Sequence, residues 1–104
     1  MSIIKLKTED RETQLIIHFS TRCMEKGYFL PYSYLRILAA LNDYGETMDV
    51  TRFCELIVSK KILFSVQTVQ NYLATLRNFG IIRRPYKQKR VICDEYLPSK
   101  SLFS

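Results

Sequence analysis

Three glycines and three prolines in 104 residues are too few for a collagen-like, linker-rich or turn-dense all-β chain. Long apolar runs are missing too. The longest, such as Leu15-Ile16-Ile17 and Ile37-Leu38-Ala39-Ala40-Leu41, fall far short of a membrane span. Met1 to Lys7 hold no apolar stretch leading to a small-residue cleavage site, so no secretory signal is expected and the location inferred is cytoplasmic. Cys23, Cys54 and Cys93 are odd in number and widely spaced, which fits reduced thiols rather than a disulfide framework. There is one histidine, His18, and its spacing to Cys23 on one helix is matched by no second pair, so packing of Cys23 outweighs metal ligation. With no Ser/His/Asp set, no glycine-rich phosphate loop and no paired carboxylates, no catalytic residue can be nominated. The expectation is a protein that is not an enzyme and takes no cofactor.

What the chain does contain is ordinary core material and an uneven charge. Hydrophobic residues make up 47% and charged residues 25%, as in a globular protein of one domain spanning 1–104. Within it, 1–30 reads as an N-terminal extension, 31–93 as the core and 94–104 as a tail. The net charge of +6 is concentrated. Residues 1–57 sum to −1, whereas residues 58–104 sum to +7, and no acid lies between Glu55 and Asp94. One sign of charge gathered on one half is the usual footprint of a surface that meets a polyanion.

Periodicity gives a mostly α chain with a small β-hairpin. Residues 3–7 alternate weakly, as a strand would. A helix is expected from Glu9 to Lys26, with Thr8 as cap, Gly27 as stop, and an apolar face of Leu15, Ile16, Phe19, Cys23 and Met24. A second helix begins near Pro31 and ends before Gly45, and the aromatic stretch from Gly27 to Tyr32 connects the two. A third follows Asp49 or Thr51, either of which can cap it, with Phe53, Cys54, Leu56, Ile57 and Val58 turned inward. Ser65 opens a fourth, with Phe64 and Val69 at the spacing of a hydrophobic staple. That helix runs through Val69, Leu73, Leu76 and Phe79 to Gly80. Ile81 to Arg84 and Arg90 to Cys93 then read as a hairpin with a basic tip. Residues 94–104 are expected to lie across the surface or fray. The many Tyr and Phe could stack on nucleobases, but most fall at core spacings, Phe64 and Phe79 included.

This order of elements resembles the winged helix-turn-helix superfamily of DNA-binding domains. The resemblance covers roughly residues 33–93 and is carried by the stretch Ser65–Arg84: the Ser65-x-x-Thr68-Val69 start, Leu73 and Leu76 three apart, and the Gly80-Ile81-Ile82-Arg83 exit. It implies a recognition helix over 65–79 and a wing over 81–93. The connector from Lys60 to Phe64 departs from the pattern, being long for a tight turn and free of glycine. The leading helix lies outside the motif. In many regulators of this superfamily a helix placed there forms the dimer interface, which makes a homodimer through residues 9–26 an expectation.

The residues of the fourth helix support the same reading independently. With Val69, Leu73 and Leu76 inward, the helical period turns Gln67, Gln70, Asn71, Ala74, Arg77 and Asn78 outward. Side-chain amides can bond adenine bidentately in the major groove, so Gln67, Gln70 and Asn71 are the expected base contacts. Ser65 and Thr68 stand where hydroxyls and helix N-terminal amides could hold a phosphate. Arg83, Arg84, Lys87, Lys89 and Arg90, with Lys60, Lys61 and Arg77, are expected to meet the backbone. The resulting expectation is sequence-specific binding of double-stranded DNA by a small transcriptional regulator, nucleoid-associated in a bacterial or viral setting. Two alternatives use the same residues: a winged-helix protein-interaction module, and a non-specific or replication-associated DNA-binding protein.

Overall fold

The computed structural model of this chain describes residues 11–98. Four helices come first: α1 (Arg11–Glu25), α2 (Tyr32–Tyr44), α3 (Val50–Ser59) and α4 (Val66–Asn78). An antiparallel hairpin follows, β1 (Ile82–Arg83) and β2 (Val91–Ile92), with Ile82 opposite Ile92 and Arg83 opposite Val91. A 3-10 turn over Asp94–Tyr96 ends the described chain's regular structure. The fold is thus mostly helical with a small hairpin. The expected strand over 3–7 and the Thr8 cap lie outside the described residues. No helix among the described residues is long and apolar enough to cross a membrane.

Local chemistry sets the helix ends. The Asp49 carboxylate accepts from the Arg52 amide at 2.8 Å, so Asp49 rather than Thr51 caps α3. Ser65 Oγ accepts from the Thr68 amide at 3.1 Å and caps α4. Each bond satisfies an amide that has no helical carbonyl to reach. At the other end of α4, Gly80 takes a φ of +76°. That lets the Gly80 and Ile81 amides return to the Arg77 and Leu76 carbonyls, both at 3.0 Å.

α3 closes with the same pair of bonds but without a glycine. Lys61 adopts a φ of +59°, and the Lys61 and Ile62 amides reach the Val58 and Ile57 carbonyls at 2.9 and 3.1 Å. This is how the glycine-free connector turns. A side chain in that conformation costs about 1–2 kcal/mol, more than the roughly 0.5–1 kcal/mol that glycine's freedom costs in the unfolded chain. Lys61→Gly is therefore expected to raise the free energy of unfolding by about 0.5–1 kcal/mol. Urea denaturation checks it, and an unchanged or lowered midpoint would contradict the strain.

The core is one cluster. α1 contributes Leu15, Phe19 and Cys23, spaced by four, and packs along α2. Ile37, Leu38, Phe53 and Ile57 fill the centre, and Val69, Leu73 and Leu76 seat α4 on it. Ile81, Ile82 and Ile92 close it beneath the hairpin. Leu56 and Val58 are half-buried rather than fully inward. Met24, expected on the apolar face of α1, is 51% exposed.

Two expectations about aromatic residues need correcting. Phe64 is 93% exposed, so no staple onto Val69 forms; Leu63 takes the inward place in the connector instead. Phe79 is partly exposed, and its ring meets Tyr28 at 4.9 Å rather than the centre of the core.

The tail is also corrected over the residues described. Instead of lying on the surface, Tyr96 is 2% exposed and belongs to the core. α1 holds the turn that carries it. Arg22 donates from two nitrogens to the Glu95 carbonyl, at 3.1 and 2.6 Å. His18 Nε2 donates to the Tyr96 carbonyl at 2.9 Å, and Lys26 pairs with the Glu95 carboxylate at 3.3 Å.

Burial has a consequence for alkaline stability. It raises the thiols of Cys23, Cys54 and Cys93 above their ordinary 9.0 and the Tyr96 phenol above 10.0. The unfolded chain then ionises before the folded one. The stability these groups contribute is complete below about pH 9 and is lost as pH rises through the folded values. A thermal midpoint that is level up to about pH 9 and falls above it is the expected result. A midpoint unchanged through about pH 11 would contradict it.

Candidate nucleic-acid interface

Contacts on either side fix the rotation of α4. Tyr72 stacks on Tyr34 of α2 with ring centroids 4.0 Å apart and planes 15° apart. Its hydroxyl lies 3.1 Å from that of Ser33. At the far end, the Tyr28 hydroxyl donates to the Phe79 carbonyl at 3.4 Å. Held this way, α4 buries Val69, Leu73 and Leu76. Gln67, Gln70, Asn71, Ala74, Arg77 and Asn78 are all exposed, the arrangement the helical period predicts. At about 100° per residue these six fall within an arc of about 120°.

Hydrogen bonds sort the polar groups on that arc. The Gln67 amide nitrogen donates to Asn71 Oδ1 at 3.0 Å, one turn on. The pair keeps the Gln67 oxygen and the Asn71 amino group facing outward, a ready acceptor beside a ready donor. Ser65 and Thr68 are occupied with one another: their hydroxyls lie 2.8 Å apart, in addition to the capping bond.

The hairpin loop is tied down rather than free. The Val50 amide donates to the Gln88 carbonyl at 2.7 Å, and Lys89 Nζ donates to the Glu46 carbonyl at 2.6 Å. Arg90 donates from one nitrogen to the carbonyls of Lys87 and Lys89, both at 2.9 Å. Gly45 makes this close approach feasible. A Cβ there would sit 2.7 Å from the Leu41 carbonyl oxygen and 2.9 Å from that of Arg90. Only a residue with no side chain lets the hairpin pass the end of α2 at this distance.

The expected backbone contacts therefore divide. Arg83, Arg84 and Lys87 are exposed, as is Tyr86 among them. Lys89 and Arg90 are half-buried and bond main-chain carbonyls. Lys60 and Lys61 are both exposed, and the Lys60 ammonium lies 5.9 Å from the Tyr44 ring of α2. Burial, and then the nearby Arg84 and Arg77, hold the Arg90 guanidinium below its usual value. Arg77 at the end of α4 and Arg84 after β1 thus both bear on Arg90.

Glu46 and Asp94 line a shallow pocket together with Arg83, without forming an ion pair with it. The ion pairs among the described residues are Arg11–Asp43, Glu12–Arg36, Arg22–Glu25 and Lys26–Glu95, and none takes a cation from residues 58–90. Nor does any group of three His, Cys, Asp or Glu side chains gather to hold a metal among the described residues. The exposure of Phe64 and the backbone of Lys61 went unread in the sequence, and no residue-type signal marks either. Compared with family models, with curated proteins and with solved structures, the chain finds no match.

Proposed function

We propose that the chain is a winged helix-turn-helix protein that binds double-stranded DNA, with α4 reading bases and the hairpin loop gripping the backbone. The observation that carries this is the meeting of two elements: the exposed amide face of α4 ends at Arg77, and α4 packs against β1, the strand that leads into the exposed Arg83, Arg84 and Lys87. Gln70 and the Gln67–Asn71 pair present the donors and acceptors that match adenine in the major groove. Arg77, Arg83, Arg84 and Lys87 neutralise phosphates, and Lys60 and Lys61 do so ahead of α4. Lys89 and Arg90 position the loop rather than touch DNA.

Occupancy of its site is the action proposed for such a regulator. A homodimer through α1 would have to use Ile17 and Met24, because Leu15, Phe19 and Cys23 serve the chain's own core. The test of the proposal is enrichment of random duplexes on the purified protein at physiological salt. A defined motif is the expected result. Binding without a motif would mean non-specific attachment to DNA, and no binding at all would leave a protein-interaction module.

A further inference from the structure

The exposed ring of Phe64 stands beside the polar face just described and has no partner in the fold. A phenylalanine left in water forgoes about 2–3 kcal/mol that burial would supply. The spacing to Val69 offered a place to bury it. The connector does the opposite: after the turn at Lys61 the chain bends through Ile62, Leu63 and Phe64 with Leu63 inward and Phe64 outward, and Ser65 then caps α4. Phe64 is 93% exposed, the most exposed large apolar side chain among the described residues. Next to it, Val66 in the first turn of α4 is exposed as well.

Charge selects the partner. Lys60 and Lys61 precede the ring, and no acid occurs from residue 56 to residue 93. A polyanion fits such surroundings, and the ring must then meet an apolar part of it. In a duplex the apolar group presented in the major groove is the C5 methyl of thymine. Phe64 stands at the end of α4 that leads into Gln67, Gln70 and Asn71, the end that carries base contacts when such a helix enters the groove.

We infer that Phe64 is a specificity-determining residue whose ring packs on the methyl group of one thymine at the edge of the α4 contact. The inference rests on the duplex-DNA reading above. It adds a base that no amide of α4 reads.

The experiment starts from the duplex preferred by the intact protein. Each thymine is replaced in turn by deoxyuridine, which removes the methyl and leaves base pairing unchanged. Binding is measured for the native protein, for Phe64→Ala and for Phe64→Leu. One replacement is expected to weaken the native protein by about 3–10-fold, the value of burying a methyl-sized group. The same replacement should change Phe64→Ala by less than about 2-fold and Phe64→Leu by an intermediate amount. The thermal midpoint of Phe64→Ala should match that of the native protein, since no internal contact is lost. A preferred site without a sensitive thymine, or equal sensitivity in Phe64→Ala, overturns the inference while the duplex reading stands. Failure of the native protein to prefer any duplex overturns both.

Discussion

Replacing Gln70 and Asn71 together by alanine should weaken the preferred duplex by about 2–6 kcal/mol, at least thirty-fold, while leaving stability nearly unchanged. The magnitude follows from two base contacts of about 1–3 kcal/mol each. The lack of a folding effect follows from their exposure on α4. The double variant is preferred because Asn71 is bonded to Gln67, and removing Asn71 alone frees Gln67 to find a new partner. Selection on the double variant should also lose its motif. Arg83→Ala, Arg84→Ala and Lys87→Ala should behave differently, weakening all duplexes alike. Each should flatten the dependence of log K on log salt by about 0.9. Lys89→Ala belongs to neither group, because its ammonium holds the Glu46 carbonyl. Equal loss across all duplexes for the Gln70/Asn71 variant would remove α4 from base reading.

Tyr96→Ala should be the most damaging substitution for the fold, costing about 3–5 kcal/mol. A domain of this size commonly has about 5–15 kcal/mol in total, so the loss is a large share of it. The ring is 2% exposed within the core cluster, and the turn that carries it is held by Arg22, His18 and Lys26. Removing the ring leaves a cavity in the core beside α1, while the bonds to the Glu95 and Tyr96 carbonyls remain. Tyr96→Phe keeps the volume and should cost far less. Urea denaturation of both variants tests this, and a loss below about 1 kcal/mol for Tyr96→Ala would contradict the packing.

Asp49, Ser65 and Gly80 were legible in the sequence because a cap or a stop depends on one residue's chemistry and its immediate neighbours. The inward faces of α1 and α4 were legible because period alone places Leu15, Phe19 and Cys23, or Val69, Leu73 and Leu76, on one side. Tyr96 was not legible: three residues carry no period, and its burial depends on α1, far away in the chain. Phe64 misled for a related reason. Its spacing to Val69 permits a staple, but the left-handed turn at Lys61 decides which of Leu63 and Phe64 faces the core. That Lys89 and Arg90, expected as backbone contacts, also bond main-chain carbonyls was not legible, because the Glu46 carbonyl lies far away in the chain.

The mooring of the hairpin loop at Val50 and Glu46 makes it a fixed ruler rather than a grasping arm. Its freedom is already given up before any encounter, so docking meets little additional ordering cost, and ionic attraction can set the pace of association. A ruler also cannot stretch. On the duplex reading proposed above, the offset between phosphates met by the loop and bases met by α4 would be set by the fold, so one base pair inserted between them would displace the two halves by about 3.4 Å without being absorbed.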